Sequence, residues 1–136
     1  MDNPSSPLVI DVAIALVWRD GRLLLTRRPE GAHLSGYWEF PGGKCLPGES
    51  PESCAEREVL EEIGVRCRAV RRRTEIVHAY PERTVRLFPI ECNYLGGNPQ
   101  PLEVAEWTWA EPARLSDYAF PPANATLLED LARESA

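Results

Sequence analysis

The stretch over residues 42–65 constrains the fold and the chemistry of this chain more than any other part of the sequence. It reads GGKCLPGESPESCAEREVLEEIGV, in which a glycine-rich loop precedes a short helical segment. Ser50 suits the N-cap of that helix, Pro51 suits its first position, and Gly64 suits the left-handed residue beyond its end. The sequence therefore predicts a helix with both ends marked.

Three carboxylates share one face of this predicted helix. Glu58, Glu61 and Glu62 stand at positions i, i+3 and i+4, which are surface neighbours on a helix. Like charges in this arrangement destabilise an isolated helix by roughly 0.2–0.5 kcal/mol per pair, and Arg57 compensates only part of that. A solvated acidic face is the ordinary interpretation of such a pattern, whereas the glycine-rich loop before this helix favours a bound cation.

The opposite side of the helix is apolar. We expect this arc to pack on a core and the carboxylates to point away from it; the arc consists of Ala55, Val59, Leu60 and Ile63. Glu49, just before the N-cap, adds a further carboxylate. Hard oxygen ligands in this number suit Mg²⁺, with Mn²⁺ as a substitute, and such ions bind through a few carboxylates together with substrate phosphates. The segment therefore predicts metal-dependent phosphate chemistry.

The same segment resembles the complete signature of the Nudix hydrolase family. The family pattern is a glycine, five residues, a glutamate, seven residues and then Arg-Glu-apolar-x-Glu-Glu-x-Gly-apolar, and every fixed position is filled. These positions are Gly43, Glu49, Arg57, Glu58, Val59, Glu61, Glu62, Gly64 and Val65. The resemblance implies an α+β fold, namely an α/β/α sandwich with a mixed β-sheet, in a single Nudix domain over residues 1–136.

The resemblance also implies roles within the segment. The three helix glutamates would hold divalent cations together with the carbonyl oxygen of Gly42. Arg57 would orient Glu58 or Glu49 rather than contact the substrate. A salt bridge that only steadies the helix is compatible with that role of Arg57.

Composition narrows the class of protein further. The 136 residues suit one domain with a sizeable core, and the formal net charge of −6 disfavours a nucleic-acid-binding surface. The four cysteines form no C-x-x-C pair and no zinc-like spacing with the two histidines. The sequence also supports neither a signal peptide nor a membrane span. We expect a cytoplasmic protein, monomeric or homodimeric, with a small-molecule nucleotide substrate and no nucleic-acid or membrane partner.

Strand-like and helix-like segments alternate along the chain. An Asp20-Gly21 turn joins two predicted strands, and a long hairpin turns around Pro81-Glu82, with an edge or a bulge expected at Pro89. The predicted strands cover residues 8–18, 22–27, 37–40, 65–80, 83–95 and 103–110, and a closing helix starts at residue 122 or 123 and ends at 134. This order predicts a mixed sheet covered on both sides.

Three stretches outside the helix segment extend the resemblance to the MutT-type enzymes of the family, which hydrolyse oxidised guanine nucleotides. They are TRRPEGAHLSGYWEFPGGK at 26–44, YPER at 80–83 and FPPAN at 120–124. The resemblance implies that Asn124 reads the oxidised purine, and an amide suits this because it carries both a donor and an acceptor. The simpler interpretation of Asn124 is a helix N-cap.

The MutT-type resemblance suggests further contacts to the nucleotide. Arg27 and Arg83 match arginines that contact or close over the nucleotide, and His33 matches a histidine near the site. Lys44 is a candidate phosphate contact. The ordinary alternative for each of these residues is a solvated surface side chain.

The remaining candidate site residues are the walls of an apolar slot for the nucleobase and one more carboxylate. Phe40 and Tyr80 are candidate walls of the slot, together with Leu8 or Ile10; core packing is the alternative, and His78 is interpreted as structural. Glu106 stands before Trp107 where MutT-type enzymes have a metal-site glutamate, which makes it a candidate metal ligand or general base.

The predicted reaction is Mg²⁺-dependent hydrolysis of a nucleoside triphosphate to the monophosphate and pyrophosphate. The MutT-type resemblance implies 8-oxo-dGTP as substrate, a nucleotide-pool sanitising role in DNA repair. Metals held by the helix glutamates would lower the pKa of a bound water, and Glu61 and Glu106 are both candidates for the base that assists its attack on the β-phosphorus. The alternatives are a CTP or modified-dCTP pyrophosphohydrolase of the same family, a non-catalytic nucleotide-sensing Nudix domain and, with less support, hydrolysis of a dinucleotide or sugar nucleotide.

Overall fold

A mixed β-sheet forms the centre of the protein. The computed structural model describes residues 8–135, and the eight strands found there all belong to this sheet. The strands are β1 (Leu8–Arg19), β2 (Arg22–Arg27), β3 (Trp38–Glu39), β4 (Gly42–Lys44), β5 (Arg66–Arg72), β6 (Ile76–Ala79), β7 (Arg83–Gly96) and β8 (Glu106–Ala110). The helices are α1 (Pro51–Ile63) and α2 (Ala125–Glu134), and two short 3₁₀ helices, Pro112–Asp117 and Pro122–Asn124, precede α2. Within residues 8–135, no helix has the length and apolar character needed to cross a membrane.

The two longest strands, β1 and β7, run parallel to each other in the middle of the sheet. Leu8 lies opposite Arg83, and Trp18 lies opposite Asn93. The other pairs in the described region are antiparallel: β1 with β2 and β4, β2 with β3 and β8, and β7 with β5 and β6. The predicted mixed sheet is therefore confirmed.

Alternation along β1 separates two hydrophobic cores. Ala13, Ala15 and Val17 face one cluster, whereas Leu16 belongs to the other. The first cluster contains α1 residues and the second contains α2 residues: Cys54, Ala55, Val59 and Ile63 in one, Leu127 and Leu131 in the other. Helices therefore cover both faces of the sheet, which confirms the α/β/α sandwich.

The ends of α1 lie where the sequence predicts them. Ser50 has extended backbone angles, and its Oγ accepts a hydrogen bond from the Ser53 N–H at 3.1 Å. Gly64 is left-handed with φ of 73°, and its N–H donates to the Leu60 carbonyl at 3.0 Å. Both predicted caps are confirmed.

Two predictions about the faces of α1 are wrong. Leu60 was expected in the buried arc but is 50% exposed, and Glu62 was expected to point away from the core but is only 8% exposed. The helical period explains both results, because position 62 lies seven residues after Ala55 and so falls on the same side as Ala55 and Val59. One carboxylate of the acidic cluster is therefore buried against the sheet.

Pro89 lies inside the sheet, so the predicted edge position is wrong. It belongs to the central strand β7 and is buried. Because proline lacks an N–H, it leaves a gap in the ladder, and the neighbouring chain is interrupted there: β5 ends at Arg72 and β6 begins at Ile76. Arg73 spans the gap by donating its N–H to the Pro89 carbonyl at 2.9 Å. The register shift nearer to Pro89 has its extra residue on β5, between Ala69 and Arg71, and a second shift lies between Arg66 and Cys67.

The segment before β8 is a loop, although a strand was predicted from residue 103. The N–H of Glu103 donates to the Glu62 carbonyl at 3.0 Å, and the N–H of Gln100 donates to the Ile63 carbonyl at 2.8 Å. These bonds satisfy two carbonyls that the end of α1 leaves free. They also hold the loop beside the buried carboxylate of α1.

Candidate active site

A cavity with four carboxylates in its wall lies where the loop around Gly42 meets α1 and the loop before β8. Its volume is about 310 Å³. Glu58 and Glu62 come from α1, Glu39 comes from β3, and Glu103 comes from the loop before β8. The remaining lining residues are Arg28, Pro29, Ala32, Gly42 and Val104. Distant segments of the chain thus bring acidic groups to one small space, which we call the acidic cavity.

The two glycines of β4 allow two different close approaches. A Cβ atom at Gly43 would lie 2.7 Å from the carboxyl carbon of Glu58, closer than real Cβ atoms come. A Cβ atom at Gly42 would lie 2.1 Å from the carbonyl oxygen of Ala13, so this glycine is needed for β4 to pack on β1. Gly42 therefore serves the fold, whereas Gly43 makes room for a carboxylate of the site.

The backbone of Gly42 contributes to the acidic cavity. The Ala15 N–H donates to the Pro41 carbonyl at 2.8 Å, and in an antiparallel ladder the next residue, Gly42, directs its N–H and C=O away from the partner strand. The Gly42 N–H instead donates to both carboxylate oxygens of Glu62, each at 3.3 Å. The Gly42 carbonyl, which the sequence suggests as a metal ligand, is left outside the β1–β4 ladder.

The charge of Glu62 is poorly compensated. Burial raises the pKa of its carboxyl group to about 8, against the lowering effect of the Gly42 N–H. The carboxylates of Glu39, Glu58 and Glu103 raise this pKa further. Burial also raises the pKa of Glu58 and of Glu39. Negative charge in the acidic cavity thus exceeds what the surrounding groups neutralise, a situation that a bound cation relieves.

Arg57 holds the other carboxylates of the Nudix-like segment. Its guanidinium donates two hydrogen bonds to Glu49, at 2.8 and 2.9 Å, one to Glu58 at 2.9 Å and one to Glu61 at 3.1 Å. The bonds from Arg57 and from the Leu46 N–H lower the pKa of Glu49 to about 2. Arg57 therefore contacts both of the glutamates that it was expected to orient, and Glu61 as well.

The donor set of the acidic cavity fits a hard divalent cation. Within residues 8–135, no three His, Cys, Asp or Glu side chains converge closely enough to hold an ion as they stand. Mg²⁺, however, keeps several waters and binds through one or two carboxylates together with substrate phosphates. Carboxylate oxygens beside a backbone carbonyl match that requirement, and the raised pKa values show that the protein alone does not balance their charge.

Arg28, rather than the predicted Arg27, reaches the acidic cavity. Its Nη1 donates to both carboxylate oxygens of Glu39 at 3.3 Å, and its Nε donates to the His33 carbonyl at 2.5 Å. His33 therefore holds Arg28 through its backbone, while the residue itself is exposed. A fixed guanidinium at the wall of the cavity is suited to contact a phosphate.

Several predicted site residues lie elsewhere. Arg27 and Glu106 are paired across β2 and β8 and form an ion pair with each other, outside the acidic cavity. Lys44 is exposed, and its carbonyl accepts a hydrogen bond from Arg57 at 3.2 Å. Glu61 is half-exposed and bonds Arg57. The structure therefore does not bring Glu106, Lys44 or Glu61 to the wall of this cavity.

Sequence reasoning missed three residues of the acidic cavity: Arg28, Glu39 and Glu103. Arg28 follows directly after Arg27, and Glu39 lies in the short strand that leads into the glycine loop, so both were within the matched stretch 26–44. Glu103 lies in the loop before β8, whereas the predicted strand from residue 103 favours Glu106 as the carboxylate of the site. The sequence does contain a signal for Glu103, since it is a second carboxylate three residues before Glu106.

The residues predicted to hold the nucleobase lie on the α2 side of the sheet. Phe40 is buried in the α2 core and packs on Phe120, with ring centroids 5.4 Å apart. The Trp38 N–H donates to the Ala119 carbonyl at 2.8 Å, which fastens the FPPAN segment to β3. Asn124 is half-buried, and its side chain makes no capping bond to the described residues of α2. Asn124 thus occupies the N-cap position of α2 without capping it, and its Nδ2 donates instead to the Pro121 carbonyl at 3.4 Å.

Comparison with known proteins agrees with this geometry. A family model described as NUDIX domain matches residues 12–130. The 8-oxo-dGTP diphosphatase of Haemophilus influenzae is 35% identical, over 93% of this chain and 94% of that protein. The CTP pyrophosphohydrolase of Escherichia coli is 31% identical, over 89% of this chain and 90% of that protein. The crystal structure of a MutT protein from Methanosarcina mazei superposes with a TM-score of 0.81 at 26% identity, covering 94% of this chain and 96% of that one.

The contrast between the two glycines gives a test of the site. We expect Gly43→Ala to displace the Glu58 carboxylate and to lower kcat/KM at least about tenfold, because the group that must move is at the far end of a flexible side chain and the fold can tolerate it. Gly42→Ala is the matched comparison, since its clash is with the backbone of β1 and should lower the Tm strongly. Steady-state kinetics and thermal unfolding measure the two effects. Equal loss of Tm in both variants would contradict the assignment.

The raised pKa of Glu62 predicts an unusual pH dependence of stability in metal-free protein. The folded-state pKa of about 8 exceeds the ordinary value of 4.5, so the unfolded chain loses this proton first and stability falls as pH rises from about 4.5 to 8. Glu62→Gln should reduce that slope, to which Glu39 and Glu58 also contribute, and should stabilise the protein in EDTA at pH 8 by roughly 4 kcal/mol, with little effect near pH 4.5. Thermal unfolding across this pH range provides the measurement. Glu61→Gln, on the exposed side of α1, is the control, and an unchanged slope in Glu62→Gln would refute the prediction.

Proposed function

The chain belongs to the Nudix family of hydrolases, and we propose that it hydrolyses 8-oxo-dGTP to 8-oxo-dGMP and pyrophosphate. The protein is a Nudix pyrophosphohydrolase; the oxidised purine as its preferred base is the proposal. The observation that carries the hydrolysis is the acidic cavity, in which the poorly compensated charge of Glu62 lies beside β4. The oxidised purine is supported by the relative named 8-oxo-dGTP diphosphatase, which is 35% identical, and by the amide of Asn124. A single domain over residues 1–136, a monomeric or homodimeric state and a cytoplasmic location stay predictions.

We propose Mg²⁺, with Mn²⁺ as a substitute, as the cation of the acidic cavity. Nudix hydrolases generally need a divalent metal, which neutralises the phosphates and lowers the pKa of a bound water. Glu58, Glu62 and Glu103 would hold it, together with the carbonyl of Gly42. Glu103 replaces Glu106 in this set because Glu103 lines the cavity and Glu106 is paired with Arg27.

The chain's own residues position the reacting groups. Arg57 and the space over Gly43 fix the Glu58 carboxylate within the cavity, where it can accept a proton from the attacking water. The burial-raised pKa of Glu58 suits that role better than the half-exposed position of Glu61. Arg28, held by Glu39 and the His33 carbonyl, is placed to contact a phosphate.

The substrate would cross the sheet edge at β3. Glu39 faces the acidic cavity, and the next residue, Phe40, lies in the α2 core, so phosphates on one side place the base on the other. On the α2 side, the amide of Asn124 can donate one hydrogen bond to a purine edge and accept another from it. Arg83 lies opposite Leu8 in the strand register, and the Tyr80 N–H donates to the Arg83 carbonyl at 2.8 Å, so these exposed residues would form the rim of this base side.

A second candidate substrate is CTP or a modified dCTP. It is favoured by the resemblance to the relative named for CTP hydrolysis, which covers most of both chains. A sensing domain without catalysis is less well supported, because all glutamates of the Nudix signature are present.

A nucleotide panel tests the proposed function. With Mg²⁺ present, we expect kcat/KM for 8-oxo-dGTP to exceed that for dGTP and CTP by about tenfold or more, as a base-edge hydrogen bond discriminates strongly between analogues. Pyrophosphate release is the measurement. A preference for CTP would establish the second candidate, and no release from any nucleotide would establish the sensing domain.

Exchange of single carboxylates tests the metal assignment. Glu103→Gln should raise the Mg²⁺ concentration needed for half-maximal activity by roughly tenfold, because it removes a charge from the acidic cavity. Glu106→Gln is the matched control three residues away and should change that concentration little. The reverse order of effects would return the metal role to Glu106.

A further inference from the structure

A half-buried imidazole with one buried nitrogen lies on the same side of the sheet as the residues proposed to hold the base. The Nε2 atom of His78, in β6, has no hydrogen-bond partner within residues 8–135 and is buried. A buried polar atom without a partner costs roughly 1–3 kcal/mol, and native structures rarely retain one without a reason. Such an atom marks a place where a partner from outside the chain can bind.

Strand register places His78 on the base side. His78 pairs with Val85, and Val85 pairs with Ile10, so these three side chains share one face of the sheet. Ile76, two residues before His78, packs against the α2 core that also contains Phe40. The ring of His78 is 6.5 Å from that of Tyr80 at the rim. The imidazole is thus located among the proposed walls of the base slot.

A groove of about 660 Å³ lies between β6 and α2, and His78 is one of its lining residues. Ala123 and Thr126, which lie one and two residues from Asn124 in the chain, also line it, whereas Asn124 itself does not. Arg73 and Glu134, which form an ion pair at 2.5 Å, line the same groove. His78 therefore brings a nitrogen that the described chain leaves unpaired to the wall of a groove next to the segment that carries Asn124.

We infer that His78 is a specificity-determining residue that hydrogen-bonds the nucleobase, as a second polar contact besides Asn124. This rests on the proposed function for the location of the base. A neutral imidazole nitrogen either donates or accepts, according to tautomer, and an oxidised purine presents both kinds of partner on its edge. His78 thereby changes from a structural residue to one that distinguishes a base by its polar edge.

Nitrogen NMR tests the contact directly in the wild-type protein. The chain has two histidines, so ¹⁵N-histidine labelling gives few signals, and His78→Phe assigns those of His78 by their loss. Titration with 8-oxo-dGMP, or with CMP if the nucleotide panel favours CTP, should shift the His78 Nε2 resonance in a saturable way. Binding of the nucleotide without any change at His78 would overturn the inference.

Steady-state kinetics provide a second test, which distinguishes a histidine that contacts the base from one that only supports the fold. His78→Phe should raise KM for the preferred nucleotide about five- to tenfold, the value of one hydrogen bond, with kcat within about twofold. His78→Gln should recover most of the loss, because its amide restores a polar partner. Val77→Thr, the exposed neighbour on the opposite face of β6, is the control. Equal KM values in all variants would refute the role of His78, whereas failure of wild-type protein to hydrolyse any nucleotide would instead refute the proposed function.

Discussion

The burial of Glu62 beneath the backbone of Gly42 is the interaction on which the site depends. Helix α1 must pack its Ala55, Val59 and Ile63 side on the sheet, and Glu62 lies on that same side. The carboxylate is accommodated because β4 is glycine at two successive positions and comes close enough to offer an N–H. One hydrogen-bond donor does not balance a buried charge, so the fold itself produces the negative potential that a cation requires.

The ion pairs of Arg57 determine which carboxylates of the Nudix segment lack a positive partner. It bonds Glu49, Glu58 and Glu61, so the repulsion expected from the spacing along α1 is largely relieved on the exposed side of the helix. Glu62 receives no hydrogen bond from this guanidinium. The single arginine thus leaves the excess charge at the buried end of the cluster, and there Glu39 and Glu103 increase it.

Much of the fold could be predicted from local residue preferences, whereas contacts between distant parts of the chain could not. Caps at Ser50 and Gly64 and the turn at Asp20-Gly21, with φ of 51° and 77°, follow from residue preferences and were predicted correctly. Glu103 could not be located in this way, because its position depends on a hydrogen bond from its N–H to the end of α1, 41 residues earlier. The wrong predictions for Leu60 and Glu62 have a different cause. The helical period that includes Ala55 and Val59 already predicts that position 62 is buried, so the sequence was sufficient there.

Under the proposed function, strand alternation at β3 separates hydrolysis from recognition of the base. Glu39 lines the acidic cavity and Phe40 belongs to the α2 core, so the residues proposed for the two tasks lie on opposite faces of the sheet. Substitutions on the α2 side can therefore change the preferred base while the carboxylates and glycines stay in place. Under the proposed function, this arrangement agrees with the names of two relatives, one named for an oxidised purine nucleotide and one for a pyrimidine nucleotide. The preferred base must therefore be inferred from side chains such as Asn124 and His78, because the Nudix signature on α1 carries no information about the base.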